Sequence, residues 1–308
     1  VIRVAQLTIF TAPKPFTNPH IALIQRNAIR SWLSLGPQVE VLLIGDEEGI
    51  AETAAELGVQ HLPEVARNSN GTPLVSSMFE LARQNSDSPL LACVNADILL
   101  MPDFVQSALC AAEQAERFLM VGQRWDLDVR EPLDFSDGWV DRLRARARQE
   151  GKLHRAAGSD YFIFPRSCFT DMPAFAIGRA GWDNWMIYSG RKNGWPVIDG
   201  TPSIQIIHQN HDYSHLPGGQ PHYKLPETFE NVRLAGGKRT IFELLDVNCR
   251  LENERLQPVP FSWKKFWREV EIFPLVRLHS YFLGQVFYSV FHPVKAYREF
   301  RQSIKRKN

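Results

Sequence analysis

Cysteine is scarce in this chain of 308 residues. Cys93, Cys110, Cys168 and Cys249 stand far apart, and no two form a CxxC pair. That spacing excludes a disulfide framework and a cysteine-based zinc site, and it suits a reducing cytosol. Long apolar runs are missing as well: none approaches the ~20 residues needed to span a bilayer. No signal-peptide pattern is visible, so a cytoplasmic protein is expected. A charge excess is also absent. The formal net charge is +1, which gives no global attraction to nucleic acid, and no nucleic-acid partner is expected.

What is present is an ordinary globular composition, 44% hydrophobic and 22% charged. It is enough for one large α/β domain with an appendage. Val4–Phe10 alternates like a strand. Ile21–Leu35 has the apolar spacing of a helix and stops at Gly36-Pro37. Val39–Ile44 is a continuous apolar run, as in a strand covered on both faces. Helix Ile50–Leu57, strand Val59–Leu62, helix Ser76–Asn85 and strand Leu90–Val94 follow. This alternation predicts a parallel sheet with helices on both faces. Ligands in such sheets bind beyond the carboxyl ends of the strands. Those ends are Thr11–Lys14, Asp46 and Asn95–Asp97. Further on, Trp125–Arg155 reads as a charged loop plus helix over that rim. Tyr161–Phe164 and Ser203–His208 read as later strands.

Three polar clusters carry chemistry. Asn95-Ala96-Asp97 ends the fourth strand, where a carboxylate either holds a divalent cation or caps the helix after Met101-Pro102-Asp103. His208-Gln-Asn-His211-Asp212-Tyr-Ser-His215 gathers three histidines and an aspartate within eight residues, a density that packing does not require. Gly178-Arg-Ala-Gly181-Trp182-Asp183-Asn-Trp185 flanks an aspartate with two tryptophans. Either this is a partly desolvated general base beside sugar-stacking faces, or it is an aromatic core patch with a capping Asp. Two loops add to these. Arg67-Asn-Ser-Asn70-Gly71-Thr72-Pro73 can bring Arg67 and backbone amides to a diphosphate, or is a plain turn. Gly158-Ser159-Asp160 either presents Asp160 to a sugar or acceptor, or is a strand entry.

Taken in this order and spacing, residues 4 to 215 resemble the GT-A superfamily of nucleotide-diphospho-sugar transferases. The resemblance implies a GT-A-type, Rossmann-like, mostly parallel sheet and transfer of a sugar from a nucleotide-sugar donor to a glycan, lipid-linked or other hydroxyl acceptor. It assigns Thr11, Ala12, Pro13, Asp46, Arg67, Asn70 and Asn95 to the nucleotide. Asp97 with His208 and His211 would hold Mn²⁺ or Mg²⁺, and Asp183 would be the base. Asp160, Trp182, Trp185, Asp212 and His215 would face sugar or acceptor. The first position of the DxD-like motif is Asn95, which brings no charge, so the metal would rest on Asp97 with a histidine. Three other readings compete: a zinc hydrolase on His208, His211, Asp212 and His215, a nucleotidyltransferase, and a non-catalytic binding module. The hydrolase leaves the first hundred residues without a role. The nucleotidyltransferase needs a glycine-rich loop after the first strand, where Thr11-Ala-Pro-Lys-Pro-Phe16 has none.

Residues 1–260 are expected to form the catalytic domain and 261–308 a helical extension. The extension holds ten Lys/Arg against three Asp/Glu and interleaves them with Trp, Tyr and Phe. It is either a packing arm or a membrane-surface element, peripheral on the inner face.

Overall fold

The computed structural model describes residues 5–211 and 225–305; Asp212 and His215 lie outside the described residues. The first half follows the expected alternation: β1 (Leu7–Thr11), α1 (Pro19–Leu33), β2 (Val39–Ile44), α2 (Ile50–Leu57), β3 (Gln60–Leu62), α3 (Val75–Gln84) and β4 (Leu90–Val94). Asn18 starts α1: its side chain accepts from the amides of His20 and Ile21, and Pro19 sits at the first helical position, where a missing N–H costs nothing. β2 and β4 both lie parallel to β1, and β3 lies parallel to β2. The carboxyl ends of β4, β1, β2 and β3 therefore stand side by side on one rim.

Alternate residues of these strands feed two separate cores, as the two-residue period dictates. Phe10, Leu42 and Ile44 pack with Phe79 of α3 and with Phe164. Leu7, Ile9, Val41 and Leu43 pack with Trp32 of α1 and with Phe104. The Phe10 and Phe79 rings meet edge to face at 5.1 Å. Helices thus cover both faces, as expected of a GT-A-type domain.

The second half adds β5 (Ile98–Leu99), α4 (Asp103–Gln114), β6 (Leu119–Val121), β7 (Arg124–Leu127), α5 (Trp139–Glu150), β8 (Lys152–Leu153), β9 (Tyr161–Pro165), α6 (Trp182–Lys192), β10 (Val197–Asp199), β11 (Ile206–Gln209), α7 (Pro226–Leu234), β12 (Cys249–Glu252) and β13 (Arg255–Pro258). The main sheet has nine strands in the order β13-β12-β10-β6-β9-β4-β1-β2-β3. Only β9 and β13 run against the others.

A smaller sheet, β5-β11-β7-β8, crosses the rim. This corrects the expectation for Trp125–Arg155, which holds two short strands around α5 rather than a loop plus helix. β7 and β8 are four and two residues long and carry Arg124, Asp126 and Lys152, so no apolar alternation reveals them.

The chain ends in α8 (Trp263–Val276), α9 (Tyr281–Phe291) and α10 (Pro293–Lys305). Buried charge ties α8 to the body. Arg268 donates to buried Asp246 at 2.6 Å and pairs with Glu271 at 3.1 Å. Lys265 donates to the carbonyls of Leu245 and Val247 at 2.8 and 2.6 Å. Glu269 pairs with Arg191 of α6 at 2.7 Å. Asp246→Ala leaves the Arg268 charge, in its buried setting, with Glu271 as its remaining carboxylate and is expected to cost about 3 kcal/mol, read as a lower urea midpoint. Adding Arg268→Met together with Glu271→Gln should recover part of that loss, since neither partner is then left as a buried charge.

Candidate active site

After β4 the chain turns through Asn95-Ala96-Asp97 into β5, and the turn buries the Asp97 carboxylate. A buried carboxylate must be met by positive charge or hydrogen bonds. Asp97 Oδ2 has His211 Nε2 at 3.0 Å, Lys14 Nζ at 3.8 Å and His208 Nε2 at 3.9 Å. Burial works to raise its pKa, but the His211 hydrogen bond and the charges of His208, Lys14 and His211 outweigh it and hold the carboxyl well below the usual range. Asp97 Oδ1 is buried without a hydrogen-bond partner. One ligand atom each from Asp97, His208 and His211 lie within 4.8 Å of one another.

These residues fit a divalent cation. One carboxylate oxygen, Oδ2, lies near two imidazoles, the other, Oδ1, is buried without a partner, and the Lys14 ammonium lies 3.2 Å from His211 Nε2. Burial lowers the Lys14 pKa, opposed by the Asp97 charge. A mixed oxygen–nitrogen set suits Mn²⁺ better than Mg²⁺, which prefers oxygen alone.

The small sheet sets this geometry. In β11, His208 pairs with Ile98 of β5 on one side and with Asp126 of β7 on the other. That register places His208 Nδ1 3.3 Å from Asp126 Oδ1. The contact is one of charge rather than an aligned hydrogen bond, since Nδ1 has no hydrogen-bond partner; a carboxylate behind an imidazole favours the tautomer that would turn the other nitrogen to a metal. His154 Nδ1 lies 2.7 Å from the other Asp126 oxygen, and Arg124 Nε donates to Asp126 at 2.9 Å. Burial pushes the Asp126 carboxyl up, while His208, His154 and Arg124 together pull it well below its ordinary value.

Behind the sheet, α1 turns polar side chains inward. Gln25 grips Lys14 at both backbone atoms, accepting from its N–H at 2.7 Å and donating to its carbonyl at 2.9 Å. Asn27 donates to Gln209 Oε1 at 3.1 Å, and Gln209 Nε2 donates to the carbonyls of Ile24 and Asp97 at 2.7 and 3.2 Å. Ser31 accepts from the Leu100 amide at 3.0 Å.

The remaining expected residues divide into groups. Asn95 donates to Asp160 at 2.9 Å, and Arg124 donates to both oxygens of Asp160 at 2.8 Å. Asp160 is therefore committed to the same chain of charges as Asp126. Thr11 and Pro13 are buried, so only Ala12 of that trio is partly accessible. Asp46 and Arg67, from the ends of neighbouring strands, form an ion pair. Arg67 also pairs with Glu47 at 2.9 Å and donates to the Gly71 carbonyl at 2.8 Å. Asn70 is exposed on the same loop, which Asn68 ties to Glu227 of α7 at 2.7 Å.

Asp183 sits in the first turn of α6, where its carboxylate accepts from the Gly181 amide at 3.1 Å. Burial raises its pKa against the pull of backbone hydrogen bonds, and the Asp160 charge raises it further. The two tryptophans beside it need correction as sugar platforms. Trp182 is 6% exposed and packs on Phe162 at 5.0 Å. Trp185 packs between Phe169 and Phe175. Both serve the aromatic core, because the α6 face that carries them turns toward the main sheet.

Two solved structures are similar to this chain. One is a mannosyltransferase from Pyrobaculum calidifontis in complex with GDP-Man and Mn²⁺, with 12% identity, a TM-score of 0.43, and coverage of 69% of this chain and 59% of that one. The other is glucosyl-3-phosphoglycerate synthase from Mycobacterium tuberculosis in complex with Mg²⁺ and UDP, with 14% identity, a TM-score of 0.47, and coverage of 76% and 80%. No family model matches the chain, and no curated protein matches it.

Lys14, Arg124, Asp126 and His154 are the residues that sequence reasoning did not single out. Only strand pairing reveals them: Asp126 and His154 sit in a segment whose charges look like a solvated surface. If Asp97, His208 and His211 hold a cation, calorimetry should find one Mn²⁺ per chain. Asp97→Ala should abolish that binding. Asp126→Asn, which leaves all three ligands in place, should weaken it by about 10- to 100-fold.

Proposed function

We propose that this protein is a glycosyltransferase that uses a nucleotide-diphosphate-sugar donor and a divalent cation held by Asp97, His208 and His211. One observation carries the reading. The buried Asp97 carboxylate, with one oxygen open, closes on two histidines at the rim where β1, β2 and β4 also end. The histidines therefore meet a strand-end aspartate, which supports the transferase over a hydrolase built within the histidine cluster alone. A cation bound there would offset charge on the leaving diphosphate.

The chain's own residues supply the rest. Lys14 is held by Gln25 at the metal side of the rim and offers an ammonium to phosphate oxygens. Arg67, on the loop after β3 and paired with Asp46 and Glu47, is the guanidinium offered to the nucleotide at the β2–β3 side of the rim. Arg124, clamped between Asp126 and Asp160, fixes both carboxylates and helps hold Asp126 ionised. Asp183 is the base. An acceptor hydroxyl oxygen bonds to the anomeric carbon, its proton passes to Asp183, and the carbon–oxygen bond to the diphosphate breaks with the electron pair leaving on the nucleotide. Displacement from the opposite side inverts the anomeric centre.

UDP, GDP and dTDP titrated by calorimetry, with Mn²⁺ and then with EDTA, test this reading. Tight binding of one nucleotide that EDTA abolishes is expected. Failure of all three to bind would overturn the reading.

Asp183→Asn should keep that binding and lose transfer by 10²-fold or more. The raised Asp183 pKa gives the pH dependence a sign. The base form is lost as pH falls through a value above the ordinary carboxylate range. The acid limb of kcat/KM should therefore lie higher than that of a solvent-exposed aspartate, and it should be absent from the residual rate of Asp183→Asn.

A further inference from the structure

The C-terminal helices spend their inward faces on the body of the protein. Beyond the α8 charges described above, Arg239 lies 3.2 Å from the centroid of the Tyr288 ring and donates to Gln285 of α9 at 3.0 Å. It also pairs with Glu299 of α10. His292 lies 3.2 Å from Glu271. Gly284 lets α9 press against α8, since a Cβ there would come within 2.5 Å of the Leu275 side chain. These contacts fix the orientation of all three helices, so the composition of their outer faces is a fixed surface.

That outer face is apolar and basic. Phe282 (75% exposed), Val286 and Val290 (72%) stand at four-residue spacing along α9. Val294, Tyr297 and Phe300 (62%) continue at three-residue spacing along α10. Trp263 (67%) and Trp267 extend it along α8, and Trp267 joins it to Phe291 at 6.0 Å between ring centres. Water gains nothing from so much exposed hydrocarbon; such a face marks a binding surface. Its charge selects the partner. Lys264, Arg277, Lys295, Arg298 and Arg301 are exposed beside the apolar residues, and among the described residues none of the five forms an ion pair. The acids of the segment face inward: Glu269, Glu271 and Glu299 are all taken by Arg191, Lys265, Arg268 and Arg239. No helix among the described residues is long and apolar enough to cross a membrane. Helices with tryptophan and hydrocarbon flanked by unpaired cations lie flat in the interface of an anionic bilayer.

The first turn of α8 also reaches the strand rim. Lys264 lines a cavity of about 500 Å³ together with Gln123, Arg155, Asp199 and Glu243. Gln123 donates to the His154 carbonyl at 2.6 Å, and His154 is the residue that braces Asp126 behind the metal ligands. Asp199 is engaged by Thr201, and Glu243 caps a following backbone amide. Two cations, Arg155 and Lys264, thus share the cavity wall with two carboxylates, Asp199 and Glu243, and neither cation forms an ion pair among the described residues.

We infer that the outer face of α8–α10 seats the enzyme on an anionic lipid bilayer, with the Arg155–Lys264 cavity opening toward the lipid as the entrance for an acceptor head group. The docking stands on the surface alone; the acceptor role of the cavity rests on the transferase reading above. Apolar contact supplies depth, and the five cations supply selectivity for negative lipid and a dependence on salt.

Co-sedimentation of the full chain with vesicles tests it. Strong binding to phosphatidylcholine–phosphatidylglycerol vesicles and weak binding to phosphatidylcholine alone are expected, with the difference shrinking at high salt. Lys295→Ser/Arg298→Ser/Arg301→Ser should weaken binding to the anionic vesicles on the order of a hundredfold at low salt. Trp263→Ser/Trp267→Ser should weaken it at least tenfold, and brominated lipid should quench the fluorescence of the unaltered chain but spare that of this variant. These side chains are exposed, so thermal midpoints should hold, and nucleotide binding in solution should be unchanged in both variants. That separates a failure of docking from a failure of the transferase reading. Absence of binding to anionic vesicles overturns the inference, as does unchanged binding of the triple variant. So does a stable dimer in sedimentation that hides this face and binds no vesicle.

Discussion

A carboxylate buried at the end of β4 has to be compensated, and much of the molecule is arranged to do so. Asp97 cannot sit there without positive charge. Lys14 comes from the end of β1, while His208 and His211 come from β11 and its exit. Each is held in turn by a further group: Gln25 grips Lys14, Asp126 backs His208, and Gln209 ties the Asp97 carbonyl to α1. The polar inner stripe of α1, with Gln25, Asn27 and Ser31 all buried, would be a defect in a helix that only filled a core. Here it is the frame against which the site is aligned.

Acidic groups outnumber the fixed cations around this frame. Asp97 lies by Lys14, Asp126 and Asp160 lie by Arg124, and Asp183 stands within reach of the Asp160 charge; the histidines carry charge only when protonated. The like charge of Asp160 is felt at Asp183, whose proton is held more tightly as a result. The carboxylates divide by their neighbours: Asp97 and Asp126, beside histidines and a fixed cation, are held well below the usual range, while Asp183, left to burial, is raised.

The parallel half of the main sheet was legible in the sequence because buried strands there are unbroken apolar runs, such as Val39–Ile44 and Leu90–Val94. The histidine cluster was legible because so many ligand-type side chains in eight residues need a reason. The small sheet was not. Its strands are two to four residues long, and β7 and β8 carry charge, so they look like surface. With the sheet hidden, Asp126 and His154 could not be connected to His208. Trp182 and Trp185 misled for a different reason. A tryptophan beside an aspartate has the same sequence appearance whether its face meets a sugar or Phe162 and Phe175, and only the direction of α6 decides it. The C-terminal segment showed its aromatic and basic character in the sequence, but which of its charges were spent inward emerged only from the pairing with Asp246, Glu269 and Glu271.

The pairing of β11 between β5 and β7 has a consequence for how this chain can change over evolutionary time. Side chains in a strand alternate between faces, so a one-residue shift exchanges neighbours. A one-residue deletion ahead of His208 would put Gln209 where His208 meets Asp126, and a one-residue insertion there would carry the imidazole into the Asn27 contact on α1. Either change disturbs the side that meets Asp97 and the scaffold side together. Before α5 the constraint is of another kind: Asn27 holds the Glu131 carbonyl and the Leu133 amide, but beyond Leu133 the loop sets no strand register. Length variation among descendants of this chain should therefore collect between Leu133 and α5 and be purged from β11.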